Sequence, residues 1–120
     1  MIKSYKELTV WQKSIELVIE IYRLTKNFPK EEIYGLTSQI RRASVSIPSN
    51  IAEGFSRKHT KEYSQFIRIA FGSGAELETQ LIISKKLKYC KENEYKKIDS
   101  LLIEIMKMLN SLNSALVAKS

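Results

Sequence analysis

Apolar residues recur along this chain at spacings of three and four, the period of one helix face, in four separate stretches. From Leu8 to Lys26 one stripe runs Leu8, Trp11, Ile15, Val18, Tyr22, and a second, Leu17, Ile21, Leu24, lies beside it. Two stripes make an apolar face wider than an antiparallel neighbour needs, which points to a further surface to be covered. Phe28-Pro29 ends this helix, because the residue before proline avoids the α region. A second helix is expected from about Glu31 to Ile33 onward, burying Ile33, Leu36, Ile40, Ala43 and Ile47. Pro48 then falls within it. Either the helix kinks there or it stops and restarts, and the kink is favoured because Ile51, Gly54 and Phe55 continue the stripe. Residues 54 to 60 read as a basic turn.

Thr60 is the expected N-cap of a third helix reaching about Tyr89, with core positions Tyr63, Phe66, Ile67, Ala70, Gly74, Leu77, Leu81 and Ser84 and with Phe71 and Ile82 on a flank. Glycine within a helix is destabilising, so Gly72-Ser73-Gly74 predicts a tight crossing at that level. The fourth stretch, from about Glu92 to Ala118, is the most regular: Tyr95, Ile98, Leu102, Ile105, Leu109, Leu112 and Leu116, beside a parallel stripe of Leu101, Met108 and Ala115. No segment reads as a strand. Short connections favour an all-α fold, an antiparallel up-and-down four-helix bundle with its second helix kinked near Pro48, over residues 1–120 as one domain.

The segment from Gln39 to Gly54 stands apart from this rhythm. Polar, small and charged residues crowd it, and it holds a proline that costs a helix interior about 3 kcal/mol. Such a segment has a task beyond filling a core.

Lys and Arg exceed Asp and Glu enough to leave a net charge of +7, with an isoelectric point near 9.5. Nucleic acid, an acidic protein or an anionic surface are the partners this charge suits. The single Cys90 excludes an internal disulfide, the first residues lack a secretory pattern, and no window approaches the apolar length of a membrane span. A cytoplasmic protein without a membrane contact is expected.

Arg41, Arg42, Arg57, Lys58, Lys61 and Arg68 are the candidate nucleic-acid contacts, with Arg57, Lys58 and His59 at a helix junction from which side chains reach phosphate oxygens. Arg41 and Arg42 point about 100° apart, so one of them is structural. Glu53 and Glu76 lie at or beside apolar stripes, where a carboxylate needs compensation. The expectation is a polar network of Gln39, Asn50, Glu53, Glu76 and one arginine, near Pro48 and Gly72, that fixes helix register or a subunit contact. A catalytic acid pair is the sharper alternative, but no nucleophile or ligand set accompanies it, and His59 with the distant Cys90 makes no metal site. No cofactor is expected. Ser44, Ser46 and Ser49 read as backbone caps, Trp11 and Tyr63 as core, and Tyr5 and Tyr34 as the aromatics best placed to stack on bases.

The run from Gln39 to Gly54, Arg57 after it, Gly72-Ser73 with Glu76-Leu77-Glu78, and Leu8-x-x-Trp11-x-Lys13 resemble the four-helix bundle proteins encoded by intervening sequences of bacterial 23S ribosomal RNA genes. The accessory variability protein of diversity-generating retroelements is similar to them. The resemblance implies a basic, ring-like homopentamer without assigned enzymatic activity. For retroelement members it also implies binding to nucleic acid and to a reverse transcriptase. Five copies at +7 would carry +35. The function expected is that of a non-enzymatic scaffold holding structured RNA or DNA through phosphate contacts. The rival expectation is a module docking an acidic protein.

Overall fold

Leu17, Ile21, Ile40, Ile47, Ile51, Ile67, Leu77, Leu81, Ile98, Ile105 and Leu109 meet along one axis and are almost wholly removed from water. The computed structural model that shows this describes residues 1–120. Four helices supply these residues: α1 (Thr9–Thr25), α2 (Leu36–Phe55), α3 (Thr60–Lys86) and α4 (Lys96–Lys119), with no strand. Each packs on its sequence neighbours, and α1 also packs on α4, so the four close into an up-and-down bundle of 45 × 24 × 21 Å. The expected fold class is the one found.

The two stripes of α1 exchange roles. Val10, Ser14, Leu17, Ile21 and Leu24 form the buried face, while Trp11 and Val18 are half-buried and Ile15 and Tyr22 exposed. Ser14 conceals the true stripe in the sequence; buried completely, it returns its hydroxyl to the Trp11 carbonyl at 2.7 Å. The start of α2 also differs from expectation. Residues 30–32 form a 3₁₀ turn, Ile33 is exposed, and the helix begins only at Leu36, whose N–H donates to the Glu32 carboxylate at 3.0 Å. From there α2 runs as one helix through Pro48, so the chain does not stop and restart at the proline.

His59, not Thr60, occupies the N-cap of α3, and no side chain caps that end. The helix stops at Lys86, three residues earlier than expected, because Lys88 adopts a left-handed φ of 59°. The Lys88 N–H then bonds the Lys85 carbonyl and the Tyr89 N–H the Ser84 carbonyl, the paired closure that usually carries glycine. Replacing Lys88 with Gly removes the Cβ strain of that conformation. It should stabilise the chain by about 1 kcal/mol, read as a rise in midpoint of chemical unfolding.

Beyond that closure, Tyr89 donates its hydroxyl to the Glu32 carboxylate at 2.5 Å, tying the α3–α4 connection to the α1–α2 connection. This bond, with the Leu36 N–H, holds the Glu32 carboxyl below its usual range, and the same bond pushes the Tyr89 phenol up. Of all the helices, α4 with its preceding turn is long and apolar enough for a membrane span by length and composition, contrary to the sequence reading. In the bundle its Ile98, Leu102, Ile105 and Leu109 are buried, and the same helix carries exposed Glu104 and Lys107.

Candidate nucleic-acid interface

The six candidate cations divide into two kinds. Arg41 is the structural member of its pair. Its Nε donates to Thr25 Oγ1 at 2.8 Å, and its guanidinium lies 4.5 Å from the centre of the Tyr22 ring, so it pins α2 to α1. Arg57 is likewise engaged: it pairs with Glu53 at 2.9 Å and Glu62 at 3.9 Å and lies over the Phe66 ring. Arg42, Lys58, Lys61 and Arg68 have no carboxylate within ion-pair distance.

Three of these four gather at one end of the bundle. Lys58 lies in the α2–α3 turn, Lys61 in the first turn of α3, and Arg68 two turns further along the same helix. Lys61 and Arg68 line an open groove of about 590 Å³ with His59, Ser64 and Gln65, closed on its far side by Val117 and Ser120 at the end of α4. The uncapped start of α3 leaves its first N–H groups free at the same end, and the helix dipole adds positive potential there. Glu62 is the one acidic side chain in the groove. Arg42 belongs elsewhere: it stands thirteen residues before the end of α2 at Phe55, about 20 Å along the helix.

The expected polar network is not one network. Asn50 Nδ2 donates to the Ser46 carbonyl and hydroxyl at 2.8 and 2.9 Å, and Ser46 bonds Ser73 at 2.8 Å, so Asn50 and two serines tie α2 to α3. Ser46 is therefore a bridge between helices; Ser44 keeps the expected backbone role, bonding the Arg41 carbonyl. Gln39 and Glu76 meet instead with Arg42 and Gln80 in a groove of about 340 Å³. Glu53 stays exposed beside Arg57. With Ser46 opposite Ser73, Glu53 and Glu76 are offset by about ten residues, roughly 15 Å along the antiparallel pair, too far for a shared proton. Both carboxylates are exposed, and Arg57 with water compensates Glu53 while water alone compensates Glu76, in place of a network.

Two residues of interest escaped the sequence reading. Gln80 is buried, with its Oε1 unpartnered, at the base of the Gln39–Glu76 groove. Phe71, placed only on a flank, is exposed beside Arg68. The aromatics proposed for stacking fare differently: Tyr5 packs edge-on against Trp11, whereas Tyr34 stands almost fully in solvent. Tyr63 is half-buried and joins the core margin, as Trp11 does. Cys90 is half-buried with its thiol directed to the Leu24 carbonyl, and burial pushes that thiol up, the opposite of an activated nucleophile.

The bundle fold is similar to that of a solved structure, a protein of unknown function from the S23 ribosomal protein family of Bacteroides thetaiotaomicron VPI-5482. It superposes with a TM-score of 0.81 at 26% identity, covering 88% of this chain and 98% of that one. No curated protein matches the sequence. The family model for 23S rRNA-intervening sequence proteins matches residues 6–111, a span that takes in α1, α2, α3, the first two thirds of α4, the Gln39–Gly54 segment and the α3 side of the basic groove. With nearly the whole bundle accounted for by one family model, the chain belongs to the 23S rRNA-intervening sequence protein family.

Proposed function

We propose that this chain is a non-enzymatic basic scaffold that assembles with copies of itself and binds structured RNA or DNA through phosphate contacts. The observation that carries the reading is the groove at the start of α3. Lys61 and Arg68 there, with Lys58 beside them, have no acidic partner, while Arg57 of the same region is already paired. A cation that is not neutralised within its own chain is available to a phosphate oxygen. No recognition helix accompanies the groove, so little sequence preference is expected.

Self-assembly draws support from α1. Ile15, Ile19 and Tyr22 are exposed on the side of the helix away from the core, with Val45 of α2 one turn beyond Arg41. A ring of five, as the family resemblance implies, would bring five basic grooves onto one particle. The same apolar stripe favours a second reading, a protein partner such as an acidic surface of a reverse transcriptase, since apolar centres with charged rims are typical of protein interfaces.

Fluorescence anisotropy of the full chain against structured RNA, single-stranded DNA and duplex DNA across a salt series tests the nucleic-acid reading. Binding should weaken with a log–log salt slope of roughly −0.7 to −0.9 per phosphate contact. Absence of binding to all three at low salt would retire this reading in favour of a protein partner. Light scattering on the same preparation gives the number of copies.

A further inference from the structure

Beside the basic groove lies a second hollow of about 300 Å³ between α3 and α4, and Arg68 lines both. Its other walls are Phe71, Gly72, Leu109, Asn110 and Asn113. Phe71 presents an exposed ring although it sits mid-helix, where a polar residue would be cheaper in water. Gly72 has nothing within 4 Å of where a Cβ would stand, so no close approach of another element requires glycine there. Glycine at such a site sacrifices about 1 kcal/mol of helix stability and leaves room instead.

The polar groups of the hollow are positioned and unspent. Asn113 accepts from the Ser64 hydroxyl through Oδ1 at 2.7 Å, which fixes its amide and leaves Nδ2 as a free donor. Asn110 forms no hydrogen bond through its side chain and is exposed. An apolar ring and wall, two carboxamides and a cation at the rim form a set of contacts that suits a flat heterocycle with polar edges attached to an anion.

We infer that this hollow receives one unpaired nucleobase of a single strand whose phosphates lie on Lys61 and Arg68, the base resting on Phe71 and its edge meeting Asn110 and Asn113. The inference rests on the phosphate-binding reading above and narrows it to single-stranded or locally unpaired nucleic acid. A base held in a duplex presents no free face to Phe71, so duplex binds through phosphates alone.

The test uses the full chain and labelled strands of about a dozen nucleotides, within the usual site size of single-strand binders. One strand carries its bases, a second of equal length is abasic, and a third is duplex. The base-bearing strand should bind about ten-fold more tightly than the abasic one, and Phe71→Ala should remove that advantage without changing the abasic affinity. Gly72→Leu should do the same by filling the hollow while raising thermal stability, so that a loss of binding is separated from a loss of fold. Equal affinity of the base-bearing and abasic strands, or both variants binding the base-bearing strand as the parent chain does, would overturn the base site and leave the phosphate groove standing. Failure of every strand to bind at low salt would overturn both.

Discussion

Reversing two charges, Lys61→Glu together with Arg68→Glu, is expected to weaken nucleic-acid binding about a hundred-fold near physiological salt. Each reversal deletes one phosphate contact and replaces it with a repulsion. At contact distance in a high-dielectric setting each of these four changes is worth about 1 kcal/mol before screening. Screening reduces the total to roughly 3 kcal/mol, which is about two decades in affinity. The salt slope should shrink by about 1.5 per chain at the same time, because two fewer counterions are released. Both positions are exposed and unpaired, so the variant should melt with the parent chain.

The matching substitution at Arg41 should behave in the opposite way. Arg41→Met breaks the Thr25 hydrogen bond and the contact with Tyr22, which lowers stability by about 1–2 kcal/mol, but it leaves the groove at the far end of α2 intact. Anisotropy and thermal melts on the two variants therefore dissociate. If the Lys61/Arg68 double variant binds with the parent's affinity and slope, the phosphate contacts lie elsewhere on the surface. If Arg41→Met loses binding without losing stability, Arg41 belongs to the interface and its pairing within the chain does not hold it.

The contrast between Arg41 and Arg42 shows how far the sequence could be read. Helical geometry puts the two about 100° apart and so assigns different roles to them, but which one is spent depends on Thr25 and Tyr22, sixteen and nineteen residues before Arg41 on another helix. The α4 stripe is legible from Tyr95 to Leu109 and again at Leu116, because its alternation of three and four is unbroken by polar residues, although Leu112 is only half-buried. The α1 stripe is not, since Ser14 interrupts the buried face while Ile15 and Tyr22 decorate the exposed one. Likewise Gln39, Arg42, Ser46, Asn50 and Glu53 follow one another at helical spacing and share one side of α2, a pattern present in the sequence. What they meet on α3 is set by the register of two helices, and that register brings Ser73 to Ser46 and Gln80 to Arg42, separating Glu53 from Glu76. Pairings of this kind are tertiary facts that no local pattern encodes.

Gly54→Ala should destabilise the chain by about 2 kcal/mol, although alanine is the better helix former by about 1 kcal/mol. A Cβ at Gly54 would stand 2.9 Å from Phe66 Cβ, 3.0 Å from Tyr63 Cδ1 and 3.2 Å from the Tyr63 carbonyl oxygen. Phe66 Cβ and the Tyr63 carbonyl are fixed to the α3 backbone, so relief requires the two helices to separate where only Ser56–His59 connects them. Gly74 is a milder case, because a Cβ there meets the thioether end of Met106, which can swing aside, and Gly72 is the reverse case, with open space around it. The three alanine variants should thus rank in thermal stability as Gly72→Ala above the parent chain, Gly74→Ala below Gly72→Ala, and Gly54→Ala lowest, about 8 °C below the parent for a chain of this size. Gly54 also holds the end of α2 against the turn that presents Lys58 and Lys61, so widening the junction should disturb the basic groove as well as the fold. A Gly54→Ala chain as stable as the parent would show that the α2–α3 spacing at this end is not set by direct backbone approach, and the position of the groove would then have to be explained by the Asn50–Ser46–Ser73 bridge alone.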